Sequence, residues 1–259
     1  MAGASDLNAA PRRDRRRVAV VRIGIVALVL AAWEVSAASG LLLREVVPSL
    51  VVVGHSLIAL LAGIDFYRNL VITAGEIAAG MLIGGMSGLA VGIALGANRF
   101  VSQAYESVVY YLGPTPKIIF FPVMIMWFGV GAGSKIAMAS VSCFFPVAIS
   151  VAAGMRQIDR VHLLVGRSFR ATYWQMVWKI YLPAMRAPIA NGIRLGLGVA
   201  VIGTLLAETK LSNQGLGYLV IQAYARFDMA RMYALLIVLF VLAIAANALI
   251  GRLARPRSP

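Results

Sequence analysis

Thiols, imidazoles and carboxylates are all scarce in this chain, and each shortage closes off a class of chemistry. Cys143 is the single cysteine in 259 residues, so there is no disulfide framework and no CxxC pair for metal or redox work. It stands in an apolar run, where a lone cysteine acts as a small hydrophobe. The two histidines, His55 and His162, have no Asp, Glu or Cys cluster beside them, and no metal site is expected. No GxSxG, no HExxH and no Cys/His pairing suited to nucleophilic attack occurs, so no catalytic residues are expected and the chain is not read as an enzyme. Charge of any sign is thin at 13%, about half the ~25% of an average soluble domain. The run from Gly129 to Lys135, GVGAGSK up to its lysine, looks at first like a phosphate loop. It lacks Gly before the Lys and Ser or Thr after it, and it joins two apolar helices, so it reads as a tight glycine turn.

What is present is apolar. Hydrophobic residues make up 61% of the chain, which places it among integral membrane proteins. Runs near 18–38, 70–97, 104–128, 134–155, 187–207 and 232–251 each approach the ~20 residues a helix needs to cross a bilayer. The expected fold class is therefore all-α: a polytopic membrane protein of about six transmembrane helices in one domain, 18–254. Residues 1–17 are expected to form a disordered basic cytoplasmic tail, and 255–259 a short C-terminal one. The first span has signal-peptide features, with Val35-Ser36-Ala37 as a cleavage site. Apolar residues resume at Leu41, which favours an uncleaved span. Residues 50–61 are apolar but too short to cross and read as an interfacial helix.

The net charge of +14 invites a nucleic-acid reading, but the placement of the charges argues against it. With the N-terminus in the cytoplasm, basic residues crowd the inner segments: Arg12 to Arg22, Arg99, the loop 156–186, and Arg252, Arg255 and Arg257. The outer segments hold only Arg44, Arg68, Lys135, Lys210, Arg226 and Arg231. That skew is the positive-inside pattern of a cytoplasmic-membrane protein, with anionic lipid as the partner of the polybasic tail.

Two spans are unusual. In the second, Gly80, Gly84, Gly88, Gly92 and Gly96 recur every four residues and form a stripe along which another helix backbone can approach. In the third, Pro114, Pro116 and Pro122 fall within nine residues and must bend or break the helix. Pro146 adds a kink to the fourth. Broken helices at membrane depth line cavities or lie buried in protein, a feature of transporters and channels. The acidic residues in or beside spans, Glu34, Glu76, Glu106 and Glu208, lie mostly near span ends. Proton-driven carriers need ionisable groups at mid-membrane. If this protein pumps, its energy is expected from another subunit, and the charged loop 156–186 is the natural socket. In that loop Asp159 is placed to cap a helix over about 160–169. Thr172 and Gln175 have capping-box spacing for a second, ending at Leu182 before Pro183. Trp174, Val177, Trp178 and Tyr181 share one face of the second helix, and Arg156, Arg160 and Arg167 one side of the first.

This loop resembles the cytoplasmic coupling loop of ABC-importer permeases, the EAA motif. It keeps Arg167, Ser168, Leu182, Pro183 and Pro188; it departs at Leu164, Val165 and Gly166, where the motif has Glu-x-Ala, and at Arg170, where the motif has glycine. Pro116-Lys117 through Pro122 to Trp127-Phe128-Gly129-Val130-Gly131 is similar to a run in nitrate/sulfonate/taurine-type permeases. So are Phe144-Phe145-Pro146, Gly192-Ile193-Arg194, and Ala207-Glu208 leading to Gly215-Leu216-Gly217-Tyr218. The resemblance implies two permease copies around a central path, cytoplasmic ATPase subunits carrying ATP and Mg, and a periplasmic substrate-binding protein. It implies that Arg167, Ser168, Phe169, Arg170 and Ala171, with Leu182 and Pro183, dock the ATPase. Trp174 and Trp178 would anchor the loop to the spans. Pro116, Pro122, Trp127, Arg194 and Glu208 are candidates for the path, though Arg194 and Glu208 are as readily explained by pairing with neighbours. The cargo implied is a small anion. The alternative is an ATPase-independent channel or secondary carrier.

Overall fold

The computed structural model describes residues 12–39 and 46–253, with the side chains of 12–16, 160, 167, 252 and 253 outside that set. The described residues are helical throughout, without strands. They divide into two units, one holding residues up to 62 together with 223–234, the other 63–222 and 235 onward.

In the first unit α1 runs Arg12–Ser39 and α2 Leu50–Ala62. The residues expected to be disordered up to 17 therefore supply the first turns of α1 from Arg12, consistent with the good helix propensity of arginine; residues 1–11 lie outside the described set, as do 254–259. Glu34 Oε2 accepts from the Leu50 amide at 2.9 Å, and Trp33 Nε1 donates to the Pro48 carbonyl at 3.0 Å while its ring meets Tyr233 edge-on.

The second unit is built on α3, Ile64–Ala97, which begins six residues before the expected start of the second span. It continues through α4, Arg99–Leu112, capped by Asn98 accepting from the amides of Phe100 and Val101. After one 3-10 turn at Lys117–Phe120 comes α5, Phe121–Phe128, and after a glycine turn comes α6, Ala132–Arg156. The coupling-loop segment holds α7, Arg160–Ser168, and α8, Tyr173–Met176, followed by a π-helical turn at Val177–Tyr181 and a short α9, Leu182–Ala184. Then come α10, Arg186–Lys210, α11, Leu216–Ala225, and α12, Met229–Leu253. Among the described residues five helices are long and apolar enough to cross a membrane, and six spans result if the bent pair counts as one.

The glycine stripe sets the packing. A Cβ on Gly88 would stand 2.7 Å from the Phe144 carbonyl oxygen, one on Gly92 2.7 Å from that of Ala148, and one on Gly84 2.8 Å from the carbonyl carbon of Ser140. The backbones of α3 and α6 thus touch along most of their length, which only glycine permits. On the other side α6 packs on α10, where Gly192, Gly196 and Gly203 play the same part against Ser150, Cys143 and Ser142. Cys143, Val147, Val151, Met185 and Ala200 fill the core between them.

The proline-rich third span is broken: the axes before and after Gly113–Pro116 differ by 94°. Lys117 fills the break, donating to the carbonyls of Gly113 and Thr115 and lying 5.0 Å above the Phe145 ring. Pro146, by contrast, sits inside α6 without interrupting it. Pro183 does not end the loop's second helix either. The chain widens into the π-helical turn before it, and the helix resumes at Leu182 with Pro183 in its first turn, where a missing N–H costs nothing.

Candidate functional site

The loop between α6 and α10 is folded by local signals. Asp159 accepts from the Val161 amide at 2.9 Å and so caps α7. Thr172 and Gln175 form the expected capping box at the start of α8. The two short helices meet through Gly166, where a Cβ would stand 2.5 Å from the Met176 sulfur. The inward face of the second helix is Met176 and Val177, each 8% exposed, whereas Trp174 and Trp178 are 68% and 67% exposed. The two tryptophans therefore stand exposed, and the contact between the loop's own two helices is made by Gly166 with Met176 and Ile180.

At the tip, the Ala171 amide donates to the Gly166 carbonyl at 3.0 Å and that of Phe169 to Val165 at 3.1 Å. This is a Schellman-type helix end, which needs a left-handed residue just past the helix. Arg170 supplies it at φ 50, in the place where the resembling motif has glycine. Phe169 beside it is 83% exposed, and Ser168, Arg170 and Pro183 are exposed as well, while Ala171 and Leu182 are half-buried. The side chain of Arg167, and that of Arg160, lie outside the described residues. Arg156 turns from the row expected of it to pair with Glu106 of α4, whose other donor is Ser102 Oγ at 2.6 Å.

The five path candidates separate. Pro116 and Pro122 are exposed along the broken span, and Trp127 is 72% exposed at the end of α5. Arg194 is exposed on α10 and donates from Nε to Asn247 Oδ1 of α12 at 2.6 Å. Glu208 belongs elsewhere, 1% exposed in a polar cluster at the end of the bundle opposite the loop. There Thr73 Oγ1 donates to Glu208 Oε1 at 2.6 Å and accepts from the Leu216 amide at 2.8 Å. The Gly217 amide donates to Glu208 Oε2 at 2.6 Å, and the Gly215 amide to Asn69 Oδ1 at 2.6 Å. Gly215, at φ 105, must be glycine twice over: a Cβ there would also lie 2.8 Å from Glu208 Oε2. Glu76, 4% exposed, lies with its carboxyl against that of Glu208.

Lys135 completes the cluster and corrects two expectations. Counted as an outer-loop charge, it is 1% exposed in the first turn of α6 and donates to the carbonyls of Val130 and Leu211, the latter at 2.9 Å. Glu76, expected near a span end, lies twelve residues into α3 because that helix starts at Ile64. Ionisable groups are therefore buried at this end of the bundle, beside the first turn of α6 and the last turn of α10. Each was hidden in sequence because its partners come from segments far along the chain. The available signal was a charge inside an apolar run, at Glu76 and at Lys135, facing the Ala207-Glu208 pair and its GLG turn.

Residues 80–257 match the family described as binding-protein-dependent transport system inner membrane component. A probable ABC transporter permease of Haemophilus influenzae is 30% identical over 83% of this chain and 87% of its own length. The putative aliphatic sulfonates transport permease SsuC of Bacillus subtilis is 30% identical over 83% of this chain and 78% of that one. The taurine transport permease TauC of Escherichia coli is 28% identical over 92% and 90%. Among solved structures, an inward-facing MetNI methionine ABC transporter chain superposes with a TM-score of 0.62 at 22% identity, covering 74% of this chain and 93% of that one. The all-α polytopic fold is therefore that of an ABC-transporter membrane subunit. The chain belongs to the binding-protein-dependent transport family, as an inner-membrane permease subunit and a transport component rather than an enzyme. Such a subunit works with ATPase subunits and a binding protein.

Proposed function

We propose that this permease forms the membrane path of an importer for a small anion of the sulfonate, taurine or nitrate type, driven through its 156–186 loop by a separate ATPase. The observation that carries the coupling role is the loop tip. Phe169 stands 83% exposed beside a left-handed Arg170, on a two-helix support, with nothing among the described residues to cover it. A large aromatic held out on a stiff turn is suited to a partner's pocket, where such a residue carries much of the interface energy. In this reading Arg167, Ser168, Phe169, Arg170 and Ala171 enter the ATPase, Leu182 and Pro183 shape the support, and ATP with Mg is bound by the partner. The N-terminus and the loop face the cytoplasm, in keeping with their basic residues.

The cargo class rests on relatives carrying sulfonate, taurine and nitrate permease names. Two copies of this chain pair around the path. The exposed aromatic row of α4 and α5, with Tyr105, Tyr111, Trp127 and Phe128, supports a second helical surface against it. The test is a double replacement, F169A with R170A. The variant is expected to reach the membrane at normal level while its affinity for the ATPase falls by about 2–4 kcal/mol. Unchanged co-purification with the ATPase, or solute flux in vesicles lacking any ATPase, would overturn the reading. Uptake of labelled taurine, an alkanesulfonate and nitrate by cells with and without the subunit identifies the cargo.

A further inference from the structure

The cluster of Glu76, Glu208 and Lys135 holds two carboxyls against one ammonium. Lys135 already gives hydrogen bonds to the carbonyls of Val130 and Leu211. Glu208 is satisfied by Thr73 and Gly217. Glu76 Oε2 is left without any hydrogen-bond partner among the described residues, although the side chain is 4% exposed. A buried charge in that position costs several kcal/mol unless something pairs with it.

The same carboxyl lines a cavity of about 280 Å³. Its other walls are the turn at Val130, Gly131 and Ala132 and the turn at Ser212, Asn213 and Gln214. Those turns add no further formal charge; they carry backbone carbonyls and amides, the Ser212 hydroxyl, and the side-chain amides of Asn213 and Gln214. A carboxylate with one oxygen unpartnered, beside neutral oxygen donors, suits a hard cation of single charge, since such donors select these ions and a higher charge would need more carboxylates. The volume admits the ion with several waters at ~30 Å³ each.

We propose that this cavity binds a small monovalent cation, an alkali-metal ion or an ammonium group, against Glu76 at the end of the bundle opposite the coupling loop. The unfilled acceptor and the cavity wall belong to one side chain, that of Glu76. The ion would tie α3 to the turns that lead into α6 and follow α10, and so brace the far end of the permease. This inference does not depend on the nature of the cargo.

The test uses the full chain in lipid nanodiscs at constant ionic strength. Thermal unfolding is followed as sodium, potassium or ammonium chloride replaces N-methylglucamine chloride, whose cation is too bulky for the cavity. A saturable rise of about 2–4 °C is expected with at least one small cation, corresponding to binding at several times its Kd. That rise is expected to vanish in E76Q, which keeps the shape and removes the charge. Sodium against ammonium distinguishes the metal ion from the amine source. Excess broadening of the sodium-23 resonance by the unmodified protein, reversed by the competing cation, gives a second readout that needs no variant. Equal midpoints in all salts, with no displaceable broadening, would overturn the proposal and leave a proton shared between Glu76 and Glu208 as the neutralising partner. Retention of the full cation effect in E76Q would also overturn it.

Discussion

Two glycines three residues apart in α3, Gly85 and Gly88, give a sharp measure of how the bundle is held. Gly88 faces α6: a methyl there would meet the Phe144 carbonyl oxygen at 2.7 Å and Val147 Cβ at 3.1 Å, inside the 3.0 Å that real Cβ atoms respect for the first. Neither neighbour is a flexible tip, so the helices must part, and overpacking of this kind costs about 1–3 kcal/mol. Gly85, three residues earlier, would place its Cβ in open space. There alanine only restricts the unfolded chain and favours the helix, a gain of about 0.4–1 kcal/mol. Gly88→Ala is thus expected to lower, and Gly85→Ala to raise, the unfolding midpoint of the detergent-purified protein. The two should differ by roughly 3–16 °C at ~2–4 °C per kcal/mol. Gly88→Leu should be worse still, with lost yield. If Gly88→Ala unfolds no earlier than Gly85→Ala, then close backbone approach is not what joins α3 to α6, and the packing argument fails.

Lys135→Met removes the one cation from the buried cluster and leaves two carboxyls facing each other; a loss of roughly 3–5 kcal/mol is expected, read as a fall in midpoint or in membrane yield. Thr73→Val strips a donor from Glu208 and an acceptor from the Leu216 amide, and is expected to cost about 2–4 kcal/mol, while Thr73→Ser restores most of it. At the loop tip, Arg170→Gly relieves a left-handed arginine worth ~1–2 kcal/mol but adds unfolded-chain entropy of ~0.4–1 kcal/mol. The net expectation is slower amide exchange over 166–172. Arg170→Ala, which keeps the strain and loses the charge, should show no such slowing; equal effects in both variants would mean that charge, not backbone conformation, governs the tip.

The parts of the fold that were legible in sequence are those set by local chemistry. The apolar runs, the four-residue glycine period and the capping pairs at Asp159 and Thr172 each act within a few residues, and each appears in the structure where it was expected. The proline break was legible for the same reason, because a missing donor acts on its own helix. What escaped was decided by distant partners. Lys135 looks like a loop cation until α10 brings the Leu211 carbonyl to it. Glu76 looks like a span-end acid until α3 proves to start at Ile64. Trp174, Val177, Trp178 and Tyr181 are expected on one face, but Val177 is buried while both tryptophans are exposed, because Gly166 admits Met176 and the inward face goes to Met176 and Val177. Pro183 reads as a stop signal, yet a π-helical turn before it absorbs the lost hydrogen bond, an adjustment no residue spacing records.

The two special regions sit at opposite ends of the same helices, and this bears on how a force would travel. α6 runs from Lys135 at the cluster to Arg156 at the loop, and α10 from Arg186 at the loop to Glu208 at the cluster. Each has 25 residues, about 38 Å of helix. Backbone contact through Gly84, Gly88 and Gly92 on one side, and close contact of Gly192, Gly196 and Gly203 with small α6 side chains on the other, leave little compressible layer in which a displacement could dissipate. A push at Phe169 would therefore tilt α3, α6 and α10 as one body. The deformation must then fall where packing is absent, and the sequence has placed such a point at Gly113–Pro116. There the chain turns through 94°, α4 buries none of its side chains, and Lys117 holds the corner only by backbone carbonyls and one aromatic face. If the loop is driven as proposed, the broken span would be the element that bends and the glycine-packed bundle the one that moves whole.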